Sequence, residues 1–422
     1  MQLNDRYYQI APKVVRSDSA TEIVIRPLYA HCQFNEEATY VVTQYPTEEQ
    51  GNHQVELKSM GGVLRIQGFK WYGEQEHLLV IEKQQGEEKR EVLRVRIYSV
   101  AEDLYSRKPF KGDLHMHSCY SDGSESPGYV AAACRRVGLD FMAVTDHHRY
   151  APSIEAQECF ADVDIDLRIF RGEEVHAPHN PVHIVNFGGS FSINELFATD
   201  EFKEEVAQLQ KTLTDLPQGV DPYQYAASVW CFNKIRQAGG LGIFCHPYWF
   251  WQNHLTPPGA LTTYLFEQQP FDAYEVIGGF HRWEQASNTL QVARYHEERA
   301  KGRQIPIVGS TDAHGCERDL FGWRYTIVFA PSSDLVDLIE GVKGLYSVAV
   351  EALPGEEIKV YGPFRLVKYA LFLIREVLPL HDELCKDEGR LMFQYLKQDP
   401  SAKETLEQAA GGTALLYKRL WG

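Results

Sequence analysis

The stretch Asp113-Leu114-His115-Met116-His117-Ser118, followed by Ser121-Asp122-Gly123, sets two histidines at i and i+2 and a carboxylate five residues later. At the end of a strand this spacing turns both imidazoles to one face, because strand side chains alternate with period two. The carboxylate lies in a turn marked by Ser-Asp-Gly. Together they form half a metal site. Alone, His-x-His reads as an ordinary surface strand, but four more segments end in the same chemistry: His147, Glu174 with His183, His246, and Asp312 with His314. Mixed imidazole and carboxylate donors suit Zn²⁺, Mn²⁺ or Fe²⁺ better than Mg²⁺ or Ca²⁺, which prefer oxygen. Six histidines and three carboxylates exceed one tetrahedral ion, so at least two metals are expected.

Strands must place these groups. From about residue 110 short apolar runs alternate with helical stretches, the pattern of parallel βα units, which gather reactive groups at the strands' C-terminal ends. Ser126-Pro127 opens the first helix and Gly138 closes it. A mostly helical insertion occupies about 193–238. Residues 1–105 read instead as all-β, a sandwich-like module of short runs between polar turns with His31, His53 and His77 as plain surface residues. The expected domains are therefore 1–105, a βα barrel over 106–345, and a mostly helical extension over 346–422. The segment from Arg365 to Leu380 is apolar all round and is expected to pack on the barrel or on another subunit.

Composition bounds the partners. Forty-two Lys and Arg against 58 Asp and Glu leave a formal charge of −16. Nothing global attracts long nucleic acid or an anionic membrane, and no Lys/Arg cluster able to follow a phosphate backbone is evident. No apolar run approaches the roughly 20 residues of a membrane span, and the N-terminus lacks a signal-peptide pattern. Eight scattered cysteines without Cys-x-x-Cys read as reduced thiols, and the expected location is cytoplasmic.

With Thr145-Asp146-His147, Gly172-Glu173-Glu174-Val175, Val182-His183-Ile184, Cys245-His246-Pro247 and Thr311-Asp312-Ala313-His314 in order after the opening motif, residues 110–330 resemble the PHP (polymerase and histidinol phosphatase) family. The resemblance implies a distorted seven-stranded βα barrel, a trinuclear metal site and phosphoester hydrolysis. It assigns His115, His117, Glu174 and Asp312 to one metal. Glu174 would bridge to a second held by His183 and His246, and Asp122, His147 and His314 would hold a third. Glu173 competes with Glu174 for the bridge, and the family's Gly-x-Glu pattern favours Glu174.

The expected activity is hydrolysis of a phosphoester in a small phosphorylated metabolite or nucleotide, by a hydroxide shared between two of two to three Mn, Zn or Fe ions. Oligonucleotide cleavage, hydrolysis of a C–N or C–O ester bond, and a non-catalytic metal-binding assembly role are the alternatives. Glu174 and Asp312 are the central candidate residues. His148 is set to touch substrate or orient the site, while Arg318 and Arg282 suit a phosphate. His176 and His179 read as solvent-facing. Tyr248-Trp249-Phe250-Trp251 could stack on a ring or cover the barrel mouth, and a homo-oligomer is compatible with all of this.

Overall fold

The computed structural model describes residues 5–86, 88–251 and 253–422. They form two compact units. One comprises Pro109–Val367 with Asp382–Ala410 and carries every motif described above. Its strands make a curled, mixed α/β arrangement of two sheets. The six-stranded sheet runs in the order Arg168–Phe170, Phe141–Ala143, Lys108–Asp113, Arg324–Ala330, Ser347–Glu351 and Lys359–Tyr361. The five-stranded sheet runs Gly172–His176, His183–Phe187, Leu241–Phe244, Ala273–Ile277 and Ile307–Gly309. A parallel bridge between His147 and Glu174 links the two sheets. The Gly309 amide, on an edge strand of the five-stranded sheet, donates to Thr326 Oγ1 on an interior strand of the six-stranded sheet at 2.9 Å. Leu114, Phe141, Val185, Phe187, Ile243, Val308 and Val328, drawn from both sheets, fill the core between them.

The expected run of parallel βα units holds only in part. Phe141–Ala143 pairs parallel with both neighbours, and Ala273–Ile277 pairs parallel with Leu241–Phe244 and Ile307–Gly309. Gly172–His176 and His183–Phe187 are instead antiparallel, as are His183–Phe187 and Leu241–Phe244. The chain between the first two, residues 177–182, is too short for a parallel crossover, which takes a dozen residues or more. The sheet also continues past residue 345, through Ser347–Glu351 and Lys359–Tyr361. Within the stretch 193–238 the helices are Asp200–Thr212 and Pro222–Gln237. The first helix is Pro127–Arg136, as its Ser-Pro start predicts, although Ser126 makes no side-chain cap.

The second unit gathers the chain up to Lys108 with Lys368–His381 and Gly411–Gly422. Tyr8–Ala11, Ile23–Pro27 and Leu64–Ile66 form one sheet; Val14–Arg16, Glu88–Val100, Gln75–Gln85, Thr39–Pro46 and His53–Lys58 form the other. Alternation is clear in Leu64-Arg65-Ile66, whose outer residues are buried and whose arginine is exposed. Ile10, Ile23, Ile25, Trp71, Leu79, Ile81, Val95 and Ile97 make one core from both sheets. Two expectations are corrected here. His77 is no surface residue: it is buried, with Gln44 Nε2 at 3.2 Å and Ser99 Oγ at 2.8 Å, and burial lowers its pKa to about 4. The apolar helix Phe364–Glu376 sets Tyr369 and Phe372 against Tyr98, at ring separations of 5.1 and 5.2 Å, so its apolar face serves this unit. Among the described residues no helix is long and apolar enough to cross a membrane.

Candidate metal centre

Strand alternation sends Glu173 and Glu174 to opposite faces. Glu173 accepts hydrogen bonds from Ser192 Oγ, the Ile193 amide, and the Asn194 and Asn186 side chains at 2.5–3.2 Å, on the side away from the cluster. Glu174 points inward and is fully buried. Its Oε2 lies 3.4 Å from His115 Nε2, 3.6 Å from His117 Nε2 and 2.6 Å from His147 Nδ1. Its Oε1 lies 2.8 Å from His183 Nδ1, 3.5 Å from His246 Nε2 and 3.2 Å from His176 Nε2. One carboxylate thus faces two groups of imidazoles.

Asp312 closes the inner group, with Oδ1 2.8 Å from His117 Nε2 and 3.4 Å from His115 Nε2. Its backbone is left-handed, φ 50°, as is that of His148 at φ 58°. Such strain costs on the order of 1–3 kcal/mol and persists where surrounding bonds fix the chain. Here the Asp312 amide donates to the His115 carbonyl at 2.8 Å and the His117 amide to the Ala313 carbonyl at 2.9 Å. Gly279 passes so close that a Cβ there would lie 2.8 Å from Asp312 Oδ2. At the open end Asp122 lies 3.4 Å from His147 Nε2 and 3.3 Å from His314 Nε2. Asp146, buried beside this loop, accepts from the Ser118 amide at 2.8 Å and so anchors the turn that carries Asp122.

All nine candidate ligands therefore converge. His176, expected in solvent, joins them: its Nε2 is 3.1 Å from His147 Nδ1 and its ring is 3.9 Å from that of His183. His179 makes no contact with the cluster among the described contacts. A residue absent from the sequence reading is Glu275, which is buried and accepts from His115 Nδ1 at 3.0 Å. His148 is exposed, its ring 4.6 Å from His176. Arg318 is exposed and does not line the cleft, and Arg282 is engaged by Glu356 at 3.3 Å and the Pro354 carbonyl.

The donor set fits cations. His115 Nε2, His117 Nδ1, His183 Nδ1 and both Glu174 oxygens are buried without a hydrogen bond of good geometry. Each such orphan costs about 1–3 kcal/mol unless something binds it. The charges agree. Burial acts to raise Glu174, yet His115 and His183 hold it well below the usual carboxylate range. Burial likewise opposes the ionised forms of Asp122 and Asp312, and their histidines hold both low. Burial would lower His147, but hydrogen bonds to Asp122 and Glu174 lift it to about 10. Protons stand where cations would compensate the same carboxylates.

No family model matches the chain. DNA polymerase/3′-5′ exonuclease PolX of Bacillus subtilis is 46% identical over 56 residues, 13% of this chain and 10% of that protein. An uncharacterized protein of Methanocaldococcus jannaschii is 24% identical over 184 residues, 41% of this chain and 84% of its own. This chain thus spans a tenth of the polymerase's length. Among solved structures, a two-domain protein of Bacteroides vulgatus said to contain a PHP-like metal-dependent phosphoesterase matches 58% of this chain and 65% of its own, at 19% identity and TM-score 0.40. A lesion-specific endonuclease of Pyrococcus furiosus matches 60% of this chain and 58% of its own, at 14% identity and TM-score 0.33. The chain resembles PHP-like phosphoesterases. The motifs that carry that resemblance are the ones whose side chains meet in this cluster.

Basic side chains that are scattered in the sequence gather along the helix Leu378–Leu396. Lys386, Arg390 and, just past its end, Lys397 fall on one face and line a groove of about 520 Å³ with Arg136, Tyr129 and Phe393. Arg136 pairs with Glu317 at 2.8 Å and Arg390 with Asp387 at 3.2 Å.

Proposed function

We propose that this chain is a metal-dependent hydrolase of phosphoesters, acting on a small phosphorylated metabolite or nucleotide with two to three Mn, Zn or Fe ions. The carrying observation is Glu174, buried and orphaned at both oxygens, each facing its own set of imidazoles. In this reading His115, His117, Glu174 and Asp312 hold one ion, Glu174, His183 and His246 a second, and Asp122, His147 and His314 a third. Bound ions would supply Lewis-acid charge at the phosphoryl group and bring the pKa of a coordinated water to about 7. The protein's own groups prepare the site. Glu275 holds the His115 ring by its Nδ1, fixing the tautomer that leaves Nε2 as the donor. The four bonds on Glu173 pin the hairpin that presents Glu174 and His183. His148 acts through His176.

The reading also takes seven of the strands in the two curled sheets as one distorted barrel, and the N-terminal strands as a sandwich. Eight cysteines outside any disulfide, six of them buried, support a reducing, cytoplasmic setting. The basic groove favours oligonucleotide cleavage as the second reading. A screen of phosphorylated metabolites with added Mn²⁺ or Zn²⁺ tests the proposal. Phosphate release that a chelator abolishes and metal restores is the expected result. Amide cleavage without phosphate release, or no turnover of any phosphoester, would overturn it.

A further inference from the structure

Directly after His246-Pro247 the chain makes a hairpin, Trp249–Trp251 paired with His254–Thr256. Trp249 and Trp251 share a face and lie 5.1 Å apart, centre to centre. Trp249 in turn lies 6.1 Å from the His183 ring and 6.2 Å from the His246 ring. Aromatic faces therefore step outward from two candidate ligands to the mouth of the cleft. The last step is bare: Trp251 is 53% exposed. A packed cover over the mouth would be buried, whereas a ring platform stays open to its ligand. The cleft they border, about 440 Å³, has the size of a small-molecule site.

Charge narrows what lies against them. Among the described residues no lysine or arginine lines the cleft; beyond the cluster the outer wall offers Glu284, His281, Phe280 and Leu320. Arg282 is engaged elsewhere, and Arg294 donates to Tyr248 Oη at 2.7 Å. Cations at the cluster would neutralise one phosphoryl group, and a second anionic group further out would meet the Glu284 carboxylate with no Lys or Arg among the described lining residues to offset it. The part of the substrate beyond the phosphate should then be uncharged and able to cover the exposed face of Trp251.

We propose that Trp251 is the docking face for a flat, uncharged ring in the ester portion of the substrate. The inference rests on the phosphoesterase reading, and it selects ring-bearing phosphomonoesters over sugar phosphates and polyphosphates. Stacking on one aromatic side chain changes affinity on the order of tenfold.

Two measurements on the full chain separate this inference from the reading it rests on. Adenosine, a ring without phosphate, is titrated against intrinsic tryptophan fluorescence, with ribose as the ring-free control. Saturable quenching by adenosine alone, weakened about tenfold in Trp251→Ala and largely kept in Trp251→Phe, is expected whether or not any ester is hydrolysed. The second compares kcat/KM for adenosine 5′-monophosphate and ribose 5-phosphate. The ring-bearing ester is favoured in the wild type, through KM, and the ratio falls toward one in Trp251→Ala. Adenosine binding without any turnover would uphold the docking face and overturn the hydrolase. Turnover with equal preference for both esters, or a Trp251→Ala defect equal for both, would uphold the hydrolase and overturn the docking face. Failure of adenosine to quench would overturn it as well.

Discussion

At the residue scale, the cluster holds protons where it would otherwise hold cations, and this fixes the sign of its pH dependence. His147 is lifted to about 10 by Asp122 and Glu174, and His115, His246 and His314 are also raised. A histidine lifted to about 10, as His147 is, carries a proton near neutrality and must lose it to become a ligand. Metal binding at pH 7 is therefore expected to release protons, and affinity to fall as the pH is lowered. An indicator dye in weak buffer reads the release, and metal binding without any would contradict it. Glu275→Gln is expected to weaken metal binding about 10- to 100-fold by releasing the His115 ring, with thermal stability less affected; a chelator competition measures it. The motifs bring nine side chains together across 200 residues of sequence, which their types and order made legible. Two partners were not read. His176 stands two residues from Glu174 and so shares its face, a signal that strand alternation already contained. Glu275 stands in Ala-Tyr-Glu-Val-Ile, and an acid inside a buried apolar strand asks for a partner, but its partner His115 lies 160 residues away.

At the element scale, the hairpin of Gly172–His176 and His183–Phe187 does the positioning. Its antiparallel direction was implicit in the short link of residues 177–182, and the regular βα rhythm around it masked that. The hairpin's two faces have separate duties, so their failures should separate too. Glu173→Gln removes a charged acceptor from four buried donors and should cost about 1–3 kcal/mol of stability while leaving metal content intact. Differential scanning calorimetry with elemental analysis on one sample shows both. Loss of metal in Glu173→Gln with unchanged stability would mean that the strand's faces are exchanged. The apolar pattern of the helix Phe364–Glu376 says only that it is covered, and the barrel or a partner subunit satisfies that pattern equally. Which surface covers it is a long-range contact with Tyr98 that no local spacing encodes.

At the scale of the whole molecule, a formal charge of −16 coexists with one basic groove. The sequence hid that groove because Arg136 lies 250 residues from Lys386, and helical spacing scatters the others among acids. Arg136 and Arg390 are already paired, which leaves two lysines to answer phosphates. Oligonucleotide binding should then weaken with salt at a log–log slope no steeper than about −1.4, and a markedly steeper slope would favour the polynucleotide reading. The central claim is that one buried glutamate joins two cation sites, and metal counting tests it most directly. Elemental analysis of wild type and Glu174→Gln, purified without chelator and again after reconstitution, is expected to find two to three transition-metal ions per chain in the wild type. The variant should fall below two. Fewer than two ions in the reconstituted wild type, or an undiminished count in Glu174→Gln, would contradict the account.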